Sequence, residues 1–299
     1  MRRHLLRHLA ALLALSLTVT NVSAQDRPQI VAVNYPLQYL AERLVGEAAD
    51  VVFPVPAEVD PSFWRPSIAD ISTIQSADLI LLNGAGFATW VDRVSLPRSK
   101  VVNTSAAIKD QFIITESITH SHGDGGEHSH EGLASYLWLD PTLAAAQARA
   151  VAAGIKRAGI LPSDDIDARL DALEADLDQL DQAARSALAN LGDVAIIATH
   201  PRYQYFARRY GLTVTALEWE AGAMPSAAQL SSLETLVAET GAEILIWEGQ
   251  PPDTALDAVA ELGLASVVFP PLAHRASSME FDQAFSEAVR SLAAAAEQN

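Results

Sequence analysis

Short runs of β-branched and aliphatic residues alternate with amphipathic helical stretches along most of this chain, and that alternation excludes most folds. Gln29 to Val33 is an apolar, β-rich run. Asn34-Tyr35-Pro36 turns it into a helical pattern from Leu37 to Val45. The unit recurs with a strand at Val51 to Val55, a helix at Ser67 to Ser76 and a buried strand from Ala77 into the turn at Gly84. A second series predicts strands at Val194 to Ala198, Leu212 to Leu217, Ile244 to Trp247 and Ser266 to Phe269. Helices at Tyr203 to Tyr210, Ala227 to Glu239, Thr254 to Leu262 and Phe281 to Ala296 follow them in turn. Strands separated by single helices assemble as parallel sheets flanked by helices, so the fold class is α/β.

Between the two series lies a different pattern. After Asp140-Pro141 the chain reads as helix to about Arg157, breaks from Gly159 to Pro162, and restarts at Ser163. Ser163 has the side chain of an N-cap, with Asp164 and Asp165 in the first turn. Ile166, Leu170, Leu173, Leu177, Leu180, Ala184 and Leu188 then recur every three or four residues, the signature of one buried helical stripe. Continued to about Asn190, that helix spans roughly 40 Å, long enough to bridge two lobes. The expected architecture is two lobes, each a mostly parallel sheet flanked by helices, joined by one long backbone helix. The lobes are placed at 25–160 and 192–299, with the linking helix at 161–191.

Arg2, Arg3 and Arg7 precede an apolar run from Leu9 to Leu17, and Val22-Ser23-Ala24 precedes Gln25. This is the layout of a secretory signal peptide over residues 1–24, and its apolar core is shorter than the roughly 20 residues a bilayer requires. The chain contains no cysteine, so an acylated-cysteine lipid anchor and disulfide staples are both excluded. The expected location is the periplasm. The formal net charge of −17 becomes more negative when the leader is lost, which argues against nucleic acid and anionic lipid as partners.

The chemistry concentrates in two places. Between Thr119 and Gly132 apolar periodicity disappears, and His120, His122, His128 and His130, four of the chain's eight histidines, stand among glycine, serine and acidic residues. Such a segment predicts a mobile, exposed loop. Neutral imidazoles bind Zn²⁺, Cu²⁺ or Ni²⁺, and neighbouring carboxylates add oxygen donors. Elsewhere His200 directly follows the strand ending at Thr199, at the carboxyl end of a strand, where open α/β sheets place ligands. No His-Glu-x-x-His or comparable compact motif occurs, which argues against a zinc hydrolase.

The segment His200-Pro-Arg-Tyr203-Gln-Tyr205-Phe206-Ala-Arg-Arg-Tyr210-Gly211-Leu212 resembles the ligand-bearing turn of the periplasmic zinc- and manganese-binding proteins of ABC transporters. Asp60-Pro61 with Pro66, the run Ala77 to Gly84, Trp90, Trp138-Leu139-Asp140-Pro141, Pro225-Ser226 and Glu248 follow that family's order. The resemblance implies a two-lobed, non-enzymatic solute-binding protein, a monomer that captures a divalent metal, zinc foremost, for a membrane permease. It also implies four ligand positions, which are occupied here by Ser62, Tyr136, His200 and Pro270. Only His200 matches.

Three readings therefore stay open. His200 and the loop histidines His120, His122, His128 and His130 together hold the ion; the cleft takes another ligand; or the chain is a relative that has lost the site. Glu218, Glu248 and His274 are further candidate donors, and Phe63, Trp64, Trp138, Trp219 and Trp247 are candidates for a cleft wall. A metal buffer or chaperone that feeds no transporter is the alternative role.

Overall fold

The computed structural model describes residues 27–115, 132–275 and 279–297. The expected leader at 1–24 and the four histidines of the 119–132 segment lie outside the described residues.

Strand β1 (Gln29–Ala32) leads through the cap residue Asn34 into helix α1 (Tyr35–Val45). The Asn34 side chain accepts from the Leu37 N–H, and Pro36 sits in the first turn, where its missing N–H costs nothing. Strand β2 (Asp50–Val52), helix α2 (Ile68–Ser76) and strands β3 (Leu79–Leu82) and β4 (Val101–Asn103) complete the first sheet. Its order is β2-β1-β3-β4, and every pairing is parallel. Strand β2 stops at Val52, short of the expected Val55, because Pro54 has no N–H to give a ladder. Strand β4 has three residues, too few to show a period, and the sequence pattern does not announce it. The short antiparallel pair β5 (Ile114–Thr115) and β6 (Gly132–Leu133) joins the two ends of segment 116–131.

Helix α3 (Pro141–Ala158) is capped by Asp140 and closes on Gly159 in the left-handed conformation. Helix α4 (Ser163–Ala187) follows, 25 residues long. The expected cap moves by one residue. Pro162, at φ −56 and ψ 144, is the cap position and makes no side-chain cap bond, while Ser163 is the first helical residue. The fixed φ of proline already sets the entry angle, and Asp164 and Asp165 supply the favourable charge of the first turn.

The second sheet contains β7 (Ala195–Ala198), β8 (Thr213–Ala216), β9 (Ile244–Trp247) and β10 (Ala265–Val268) in the order β10-β9-β7-β8, again all parallel. Helices α5 (Gln204–Tyr210), α6 (Ala227–Thr240), α7 (Asp253–Ala260) and α8 (Phe281–Ala296) connect and flank it. Two parallel sheets flanked by helices establish the α/β architecture.

Helix α4 packs against α1 and α3 on one side and against α8 on the other. Its stripe Ile166, Leu173, Leu177, Leu180 and Ala184 is buried, and one continuous apolar core runs from Ile30 and Ile80 through Leu177 to Ile196 and Ile246. Separating the sheets would expose that core at about 25 cal/mol per Å², so large hinge motions are costly. Among the described residues no helix is long and apolar enough to cross a membrane.

Candidate functional site

Strands β7 and β9 are parallel neighbours, so the residues that follow their carboxyl ends emerge side by side. Thr199 ends the apolar run of β7, and its hydroxyl accepts from the Glu248 N–H at 3.1 Å just beyond β9. His200 and Glu248 therefore face each other, with His200 Nδ1 2.7 Å from Glu248 Oε2. A carboxylate can only accept, so Nδ1 carries the proton and donates, which leaves the lone pair on Nε2. An imidazole held this way by a carboxylate is set up as a metal ligand.

Pro201 disfavours helical backbone at His200 before it, and Arg202 N–H turns back to donate to the His200 carbonyl at 2.9 Å. That turn sends the Arg202 side chain toward the first sheet. It is 8% exposed. Nη2 donates to Asp60 Oδ2 at 2.7 Å, Nε lies 3.5 Å from Glu248 Oε1, and the guanidinium carbon sits 4.6 Å from the centre of the Tyr136 ring. At 3.5 Å the Nε contact is an ion pair without hydrogen-bond alignment. Burial works against the charge of Arg202, but Tyr136, Glu248 and Asp60 outweigh it and raise its pKa above the ordinary value. The guanidinium stays charged at every physiological pH.

The first lobe contributes Asp60, Ser62 and Tyr136. Asp60 folds the turn that follows it by accepting from the Ser62 N–H at 2.8 Å and the Ser62 hydroxyl at 2.6 Å, both on Oδ1. Tyr136 is 2% exposed and lies under the Arg202 guanidinium. Burial drives its phenol far above the usual range, against the pull of Arg202, so it remains a neutral hydroxyl.

On the far wall Trp138 is fully buried, and its indole N–H donates to the Pro271 carbonyl at 2.8 Å. Tyr203 donates its hydroxyl to the Phe269 carbonyl at 2.5 Å. These bonds fix the segment that carries Pro270. The His274 Nε2–H donates to the Val59 carbonyl at 2.6 Å, which commits that nitrogen to holding the two lobes together. Trp64, Trp219 and Trp247 are buried, whereas Phe63 is 57% exposed. Glu218 is exposed.

His200 and Glu248, both named as candidates from the sequence, lie side by side past the carboxyl ends of β7 and β9, whereas Arg202 was not among the sequence candidates. Arg202 and Asp60 are 142 residues apart, and nothing local marks them as partners. His120, His122, His128 and His130 fall outside the described residues. Among the described residues no group of three or more His, Asp or Glu side chains is placed to hold a metal.

A model of the family described as zinc-uptake complex component A, periplasmic, matches residues 30–295. The chain belongs to that family. The zinc-uptake family match spans both sheets and the helix between them. Within the same group of proteins, the high-affinity zinc uptake system protein ZnuA of Bacillus subtilis is 27% identical over 252 residues, covering 82% of this chain and 79% of the relative. The zinc-binding lipoprotein AdcA of Streptococcus pneumoniae is 26% identical over 274 residues, which is 88% of this chain but only 54% of AdcA. The crystal structure of the metal-dependent lipoprotein YcdH from Bacillus subtilis superposes with a TM-score of 0.76 at 22% identity, over 90% of this chain and 98% of that one. That likeness bears on the fold. The family is one of solute-binding transport proteins.

Proposed function

We propose that this chain is a periplasmic solute-binding protein that captures Zn²⁺ and delivers it to the membrane permease of an ABC importer, with no chemical step of its own. The observation that carries the reading is the His200–Glu248 pair at 2.7 Å, an imidazole with a fixed tautomer at the carboxyl ends of β7 and β9. Family membership and zinc-named relatives such as ZnuA and AdcA support zinc as the cargo.

His200 Nε2 is the fixed ligand, and the remaining donors come from among His120, His122, His128 and His130. Strands β5 and β6 bracket segment 116–131, and β6 ends three residues before Tyr136 in the chain, which brings the end of that segment close to the cluster. Tetrahedral coordination by imidazoles suits Zn²⁺. Export by the leader at 1–24, release without a lipid anchor and action as a monomer belong to the same reading.

A second reading has one observation in its favour. The described residues provide a single imidazole beside a guanidinium, which fits a relative whose cleft has ceased to take a bare ion. Isothermal titration of metal-stripped mature protein with Zn²⁺ separates the two. The uptake reading expects about one zinc per chain, with binding weakened both by His200→Ala and by deletion of residues 120–130. Zinc binding that is weak in the wild type, or that survives His200→Ala, sinks it. The buffer role is tested by the same protein with its permease, because a buffer would load zinc normally and leave transport unaffected.

A further inference from the structure

Arg202 is a buried cation beside His200 at the carboxyl ends of β7 and β9: its Nη2 donates to Asp60, while its Nε meets Glu248 as an ion pair without a hydrogen bond. Asp60 Oδ1 accepts from the Ser62 N–H and hydroxyl, and Oδ2 accepts from Arg202 Nη2. Glu248 Oε2 accepts from His200 Nδ1, and Oε1 faces Arg202 Nε at 3.5 Å. Three of the four carboxylate oxygens thus accept hydrogen bonds from this chain, and the fourth, Glu248 Oε1, is charge-paired with the guanidinium. Ser62 and Tyr136 beside them are neutral side chains and add no negative charge.

We propose that Arg202 is a specificity-determining residue: its guanidinium engages Asp60 and Glu248 so that hard, oxygen-seeking divalent ions find no free carboxylate, and the cleft presents only the neutral nitrogen of His200. This rests on the metal-capture reading above and deepens it. Carboxylate and carbonyl oxygens suit Mn²⁺, Mg²⁺ and Ca²⁺, whereas imidazole suits Zn²⁺, Cu²⁺ and Ni²⁺. Without the guanidinium, Asp60 from one lobe and Glu248 from the other would face a shared space as two unbalanced negative charges, which attracts any divalent ion. A lysine ammonium would keep the charge but could not reach both carboxylates with a planar fork.

The test compares Zn²⁺ and Mn²⁺ affinities by titration of the metal-stripped full chain in wild type and Arg202→Gln, with circular dichroism and the Tm of the metal-free protein as folding controls. Arg202→Gln is expected to bind Mn²⁺ at least about tenfold more tightly than wild type, with the zinc-to-manganese preference reduced. A folded variant whose preference stays within about twofold of wild type overturns the proposal.

Removing one member of a buried ion pair can unfold a protein, so a second pair of variants stands beside the first. Asp60→Asn combined with Arg202→Gln removes both charges of one pair, and it is compared with Asp60→Asn alone. These differ only in the guanidinium facing Glu248. The double variant is expected to gain several-fold in Mn²⁺ affinity over the single one, and equal affinities would count against Arg202 as the determinant. If wild type fails to bind zinc at all, the capture reading falls. If wild type binds zinc and the preference is indifferent to Arg202, only this inference falls.

Discussion

Glu248 Oε2 lies 2.7 Å from His200 Nδ1 and so decides which imidazole nitrogen is left to bind. Glu248→Gln preserves the shape of the side chain but removes the charge that holds the tautomer. Zinc affinity is expected to fall about 10–100-fold with little change in Tm. Titration of the metal-stripped variant measures it, and an unchanged affinity would detach Glu248 from the site.

Trp138 ties the end of the first lobe to the segment after β10 through its bond to the Pro271 carbonyl. Trp138→Phe keeps most of the buried ring and leaves that buried carbonyl without its donor. The expected loss is about 1–3 kcal/mol, read as a lower urea midpoint with an unchanged denaturant slope.

Asp181, on α4, accepts from Arg209 Nε at 2.7 Å and Nη2 at 2.6 Å. Burial alone would push its carboxyl up, but the Arg209 hydrogen bonds and the Arg209 and Arg185 charges outweigh it, and the pKa lies below the ordinary carboxylate value. A depressed folded pKa contributes stability above the unfolded value of about 3.9 and loses it as pH falls through the folded one. Asp181→Asn is expected to cost about 1–2 kcal/mol at pH 7 and to flatten the decline in stability below about pH 4. Urea unfolding at pH 7, 5 and 3 gives both quantities; an identical acid decline in the variant would refute the assignment.

Gly84, at the end of β3, has φ +75, and a Cβ there would lie 2.1 Å from Ser105 Oγ and 2.4 Å from Asn103 Oδ1. Those two side chains are bonded to each other, so neither can retreat freely. Gly84→Ala combines left-handed strain with a steric clash and is expected to cost at least about 2 kcal/mol, seen as a drop of several degrees in Tm.

Much of the architecture is legible in the sequence because it is governed by local periodicity. The strand Ile244–Trp247 and the helix Phe281–Ala296 occur at the bounds their patterns predict, since each carries a clear apolar run or stripe flanked by turn residues. Ser67 and Ser226 cap their helices by reciprocal bonds with Asp70 and Gln229, three residues on, which is again local chemistry. Where local signals compete, the reading slips. Proline rather than Ser163 opens α4, and β4 is recognisable only because β3 stands ready to pair with it.

The site divides along the same line. Placement of His200 at a sheet edge follows from its position after an apolar strand, and sequence alone determined it. The partnership of Arg202 with Asp60 and Glu248 was decided by tertiary structure, which closes segments 142 and 46 residues apart into one buried ion cluster. An arginine in a turn carries no local sign of burial, because its usual fate is solvation. Only the approach of two lobes, held together by a shared apolar core, converts that side chain into a fixed internal cation.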